Sequence, residues 1–350
     1  MEGALFLSKK DRKYAVASSG LLYNKDIYNK DIYNKDIYNK DNGKNRSIQK
    51  EEDADQGAQL DRTGQSQVTI PGLKEGKVGL QFFAAWVGPK NRYSPCLQRG
   101  LQLIDAYYRL LDRYPEDFLP VYRYPDINKA REQHRIGSLL TVEGGDVLEG
   151  ELVNLRILYR LGVRALTLTW NFRNEIADGV MEDQALGGLS GFGHEVVREM
   201  NRLGMLVDVS HLSERGFYDV MEISGKPIAA THSNAWSVCR HPRNLKDDQI
   251  RLLAKRKGVM GMNFYPSFLS SERAGILDII RHIEYIAALA GVDVIGFGSD
   301  FDGIGETPEG IPGPEGYGGI INELLKLNYR EEDVQKIACG NYLRLLREIL

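Results

Sequence analysis

From Val68 onward the apolar positions of the chain switch repeatedly between two spacings. Short runs in which nearly every residue is apolar, among them LQFFAAWVG, IGSLLTVE, VRALTLTW, MLVDVSH and VDVIGFGSD, alternate with longer segments such as LVNLRILYRLG, GHEVVREMNRLG and SERGFYDVMEISG, where apolar residues recur every three or four. The first pattern predicts strands at about 79–87, 138–143, 164–170, 205–211, 227–232, 258–264 and 293–300, and the second predicts helices between nearly all of them. Helix boundary signals agree. Ser213 is placed to cap a helix with Glu214 in its first turn, Gly162 can stop another, and Asp247 and Asp248 open a helix that ends in basic residues. Strict alternation of strand and helix means a parallel sheet, and eight such units close a (β/α)8 TIM barrel. Seven strands leave one short. It should lie upstream of Val78, where ALFLS at 4–8 and AVASSGLLY at 15–23 are the candidates, so the first strand is read as missing or replaced.

Residues 1–67 read differently. Tyr-Asn-Lys-Asp-Ile starts at Tyr23 and recurs with period five at Tyr28 and Tyr33 and, in its first four residues, at Tyr38, a period that fits neither helix nor strand. Polar residues follow through Gln67, so 1–67 is expected to be an aberrant, disordered low-complexity segment, with a barrel domain over 68–350. The whole chain of 350 residues is 42% hydrophobic and 27% charged, with a net charge of −3, which argues against nucleic acid or anionic membranes as partners. Three widely spaced cysteines and the lack of a CxxC pair point to a reducing compartment and away from thiolate zinc sites. No apolar run reaches the length of a membrane span, and the expected location is cytoplasmic.

The chemistry lies where strands end, the place at which barrels expose reactive side chains. Glu143, Trp170, His211, His232 and Asp300 all fall at such ends, with Asn263 and nearby Phe268 at another. Two imidazoles and two carboxylates around one barrel mouth form a metal-hydrolase constellation. The alternative is two unrelated histidines, one capping a helix and one paired in the core. Other motifs carry less. HEVVR at 194–198 has arginine where a zinc protease has its second histidine. DFDG at 300–303 has Ile311 where a calcium loop needs glutamate. His134, His241 and His282 read as solvated or structural.

The motifs TVEGG, LGVRALTLTWN, NEIADGV, GGLSGFGHEVVREMNRLGMLVDVSH, HSNAWSVCRHPRNLKDD and GFGSDFDG resemble those of the membrane dipeptidase family, peptidase M19, from about Val68 to the C-terminus. The resemblance implies a barrel of the metal-dependent hydrolase type that cleaves dipeptides with two zinc ions. Carried over by motif, Glu143 matches the carboxylate that bridges the metals, and His211 and His232 match the imidazoles of the second one. Asp300 matches the acid/base residue, and Arg243 matches the arginine that pairs with the substrate's terminal carboxylate. Trp170 and Phe268 stand at substrate-binding positions, where some members have histidine and tyrosine. The family's first-strand His-x-Asp pair occurs nowhere in this chain, leaving ligands for one zinc ion or a weakened pair. No membrane anchor is expected, and a homodimer is allowed. Two alternatives stand beside the dipeptidase: a non-catalytic barrel that binds one metal or a dipeptide-like ligand, and a single-metal hydrolase of some other amide or lactone.

Overall fold

Among the described residues of the computed structural model nine strands pair in parallel: β1 (Ala15–Leu21), β2 (Val78–Trp86), β3 (Phe118–Pro120), β4 (Ile136–Glu143), β5 (Ala165–Thr167), β6 (Leu206–Asp208), β7 (Ala229–Ala230), β8 (Val259–Met262) and β9 (Ile295–Phe297). The structure describes residues 66–88 and 95–350, together with the backbone of 15–21. Pairing runs β1–β2–β4–β5–β6–β7–β8–β9 and returns to β1, the last junction resting on the single pair Ala17↔Phe297. This is the (β/α)8 barrel-type fold that the alternating pattern implies, joined thinly on one side.

The unassigned first strand is one of the two candidate segments. Ala15–Leu21 lies between β2 and β9, so the strand is replaced rather than missing, and its sequence AVASSGL contains neither histidine nor aspartate. The expectation of disorder over 1–67 otherwise falls, except at residues 66 and 67, outside the described residues, as do the repeat and the ALFLS segment. A short strand that the pattern missed, β3, lies along the first three residues of β4. It precedes an unforeseen helix, Tyr124–Glu132.

Local chemistry places the helices where their signals stood. Ser213 Oγ accepts from Gly216 N at the start of the helix Glu214–Ile223, as an N-cap should. Ser190 does the same for Gly191–Leu203, which ends at Gly204 in a left-handed conformation. The helix Asp247–Lys255 carries both aspartates in its first turn.

Apolar side chains facing into the barrel (Leu80, Phe82, Leu139, Ala165, Leu206, Ala229 and Val259) pack with Tyr342, Leu345, Leu346 and Ile349 of the final helix, Asn341–Ile349. That helix stoppers the amino-terminal end of the barrel and leaves the carboxyl end for chemistry. Gly296 makes room for it, since a Cβ there would sit 2.5 Å from the Tyr342 ring.

His282, on the helix Ile276–Ala290, is fully buried and structural, in line with its reading from sequence. Its Nδ1 accepts from Ala235 N at 3.1 Å and its Nε2 donates to Leu269 O at 3.1 Å, so both nitrogens are used by a neutral ring. Burial pushes its pKa down to about 4. A histidine near 6.5 in the unfolded chain and about 4 in the folded one contributes stability above pH 6.5 that is lost as the pH falls towards 4, about 3 kcal/mol in all. The urea midpoint of the metal-chelated chain is therefore expected to fall between pH 6.5 and 4.5, and less steeply in His282→Gln. A flat midpoint over that range would refute the assignment.

Candidate metal centre

The carboxyl ends of β4, β6 and β7 bring Glu143, His211 and His232 together, and their ligand atoms lie within 4.8 Å of one another. Glu143 is the last residue of β4, whereas His211 and His232 follow their strands by three and two residues. His211 Nε2 lies 3.1 Å from Glu143 Oε1 and 2.9 Å from His232 Nε2, and His232 Nε2 lies 3.9 Å from the same Oε1. All three side chains are buried. His211 and Asp300 both occupy left-handed backbone, with φ of 65° and 63°, a conformation that concentrates at functional sites.

The hydrogen bonds behind the imidazoles decide which nitrogens face the centre. His211 Nδ1 lies 2.7 Å from Asn171 Oδ1, which can only accept, so Nδ1 carries the proton. Behind His232, Thr231 Oγ1 donates to Asp208 Oδ2 at 2.6 Å and accepts from His232 Nδ1 at 2.8 Å. Asp208 is held by the Thr167 hydroxyl and by the amides of Ser210 and Thr231. Both Nε2 atoms therefore aim lone pairs at each other and at a carboxylate. Three acceptors at such distances repel unless a proton or a cation lies among them. A carboxylate with two neutral imidazoles, each oriented through its far nitrogen, is a donor set that suits a divalent transition metal.

The electrostatics point the same way. Burial, with the Asp300 and Asp208 carboxylates nearby, pushes Glu143 well above its usual range. Burial, then Arg243 and His232, holds His211 well below the ordinary imidazole value, and burial also lowers His232.

In front of these ligands lies a cavity of about 280 Å³, whose lining includes Trp86, Trp170, His211, His241, Arg243, Phe268 and Asp300. His232 sits behind His211. Asp300 Oδ2 accepts from Asn263 Nδ2 at 3.0 Å. The guanidinium of Arg243 lies 5.6 Å over the Phe268 ring and donates to His232 O at 3.0 Å. The expected site residues Glu143, Trp170, His211, Arg243, Phe268 and Asp300 thus line one cavity, with His232 beside His211. The orienting partners Asn171, Asp208, Thr231 and Asn263 were not singled out as such. Neither was His241, which lines the cavity while its Nδ1 accepts from Arg243 N at 3.1 Å. A polar residue inside a buried apolar run, such as Asp208 in LVDVS, is the signal that could have marked them. Of the weaker motifs, His194 lies on the helix Gly191–Leu203, and the Asp302 carboxylate is taken up by Ser66 Oγ and by the amides of Gln67 and Val68.

A parallel α/β barrel with a buried Glu–His–His ligand set at its carboxyl end defines a hydrolase-type metal barrel. The chain belongs to the membrane dipeptidase family, peptidase family M19, whose family model matches residues 36–350. It is 34% identical to Dipeptidase aclJ of Aspergillus oryzae over 295 residues, spanning 81% of this chain and 70% of that protein. Among solved structures it is similar to dipeptidase AC, a metallopeptidase of family M19, with 27% identity and a TM-score of 0.75 over 82% of this chain and 90% of the other. A metallopeptidase from Rhodobacter sphaeroides, solved with a phosphinate mimic of the dipeptide L-Ala-D-Ala, matches with 26% identity and a TM-score of 0.75 over 82% and 91%. Among the described residues no helix is long and apolar enough to cross a membrane.

Proposed function

We propose that this chain is a dipeptidase working with a single zinc ion held by Glu143, His211 and His232. The observation that carries this reading is the convergence of three metal-ligand groups, Glu143, His211 and His232, on a cavity that also contains a carboxylate and a guanidinium. Three protein ligands with one open position are what a catalytic zinc site requires. When bound, the ion would lower the pKa of an attacking water towards ~7 and polarise the scissile carbonyl.

The protein's own groups do the rest. Arg243, at the far wall, pairs its planar fork with the carboxylate of the dipeptide's second residue. Phe268 and Trp170 bracket the substrate on either side of the ligands. Asp300, held by Asn263, takes the proton from the attacking water and delivers it to the departing amine as the C–N bond breaks, so one carboxylate serves both transfers. Nothing in AVASSGL can stand in for the family's His-x-Asp pair, which is why one ion is proposed rather than two.

The same absence favours a second reading, a barrel that binds one metal or a dipeptide-like ligand without turnover. Zinc content after loading and desalting, measured with hydrolysis of Gly- and Ala-containing dipeptides, separates the two. One zinc per chain with chelator-sensitive hydrolysis is the expected result. One zinc without hydrolysis rejects the dipeptidase and favours the non-catalytic barrel, and no retained zinc rejects the dipeptidase together with the metal-binding form of the second reading.

A further inference from the structure

Opposite Arg243 the cavity is closed by aromatic side chains to which the proposed chemistry gives little work. Trp86 ends β2 and is the register partner of the ligand Glu143 on β4. Its ring lies 5.5 Å from that of Trp170, which follows β5, so the two indoles meet across the strand that carries the ligand. Trp170 in turn lies 6.0 Å from the His211 ring and 6.0 Å from Phe172. Phe172 and Met181 are each 52% exposed, and Met181 also lines the cavity. In the pairing order β2 stands four strands away from β7, whose following loop carries Arg243. The cavity therefore has a cationic wall, a ligand set between, and an apolar wall on the far side. Asn171, beside these aromatics, is engaged with His211 through its oxygen. Large apolar groups exposed together at the rim of a cavity mark a surface that is covered by a ligand.

We infer that the wall formed by Trp86, Trp170 and Met181, with Phe172 against the Trp170 ring outside it, is a subsite for the side chain of a dipeptide's first residue, and that it selects large apolar side chains there. The inference rests on the dipeptidase reading, which sets the direction of the substrate. With the terminal carboxylate at Arg243 and the peptide carbonyl at Glu143, His211 and His232, the first residue has to project towards the indoles. Indole faces reward apolar area taken out of water and offer little to a small or anionic group. Selection is therefore by size and polarity, and it acts on the first residue.

The test uses the zinc-loaded chain and non-hydrolysable phosphinate dipeptide mimics, with affinity read by calorimetry so that no turnover is needed. Three mimics suffice: Gly-Ala, Phe-Ala and Ala-Gly types. The Phe-Ala mimic is expected to bind at least about tenfold more tightly than the Gly-Ala mimic, with the Ala-Gly mimic close to Gly-Ala. Trp170→Ala should shrink the Phe-to-Gly ratio to within about threefold. Equal affinities for the Phe-Ala and Gly-Ala mimics, or a ratio unchanged in Trp170→Ala, would overturn the subsite while leaving the dipeptidase reading intact. Failure of all three mimics to bind would overturn both.

Discussion

Replacing His211 with alanine is expected to lower zinc affinity by more than ~100-fold and to abolish any dipeptide hydrolysis. Changing a residue that only orients a metal ligand typically lowers metal affinity by ~10–100-fold, so removing the ligand itself should exceed that range. Among the described residues no other group joins this set. Glu143 and His232 would remain as two donors, below the three that a catalytic zinc site needs, and Asn171 would lose the partner of its Oδ1. His211→Asn is the matched control for backbone effects, because asparagine tolerates the left-handed conformation at this position but is too short to put a donor at the centre. Both variants should retain the wild-type circular dichroism spectrum. Competition with a chromophoric chelator reads the affinity, and a change of less than about tenfold in both would remove His211 from the proposed ligand set.

The sequence reading reached this residue because a histidine at the end of a buried apolar run has few places to go in a parallel barrel. The same logic found Glu143, His232 and Asp300. What the pattern could not provide was the path of the chain beyond the strands. β6 and β7 are only three and two residues long, and the ligands sit in irregular segments after them, where no periodicity applies. The left-handed turns at His211 and Asp300 belong to that region. The orienting roles of Asn171, Asp208, Thr231 and Asn263 were hidden for another reason, although Asn263 itself was placed at a strand end. Their roles depend on hydrogen bonds between segments far apart in the chain, such as Asn171 to His211 and Asn263 to Asp300. Arg243 was legible only through the family resemblance. Its loop follows β7 without any local signal that it turns back over the barrel mouth.

The first strand shows the limit of pattern in another way. AVASSGL is small and partly polar, with no period of its own, and it becomes a strand through pairing with Val78–Ala84 on one side and Phe297 on the other. β3 is three residues long and reads as part of a polar link until Ile136–Ser138 is placed beside it. Strands defined by their partners rather than by their own residues are those that a sequence window passes over.

Asp300→Asn is expected to leave zinc content and thermal stability near wild type while lowering kcat for a hydrolysed dipeptide by ~10²–10⁴-fold, the usual contribution of a positioned acid–base group. The substitution is nearly isosteric, and asparagine accepts the φ of 63° at this position. Its amide oxygen can still accept from Asn263 Nδ2, so the side chain should stay in place. What it loses is basicity. An amide can neither take the proton of the attacking water nor return it to the leaving amine. Because Arg243 and the aromatic walls, not Asp300, are proposed to hold the substrate, KM should change by less than about threefold, and nearly all of the effect should appear in kcat. Asn263→Ala should act in the same direction but more weakly, about tenfold in kcat, by releasing the carboxylate that it positions. A kcat for Asp300→Asn within about threefold of wild type would remove the residue from the chemistry. A loss of activity that only tracked a loss of bound zinc would reassign Asp300 to the metal centre itself.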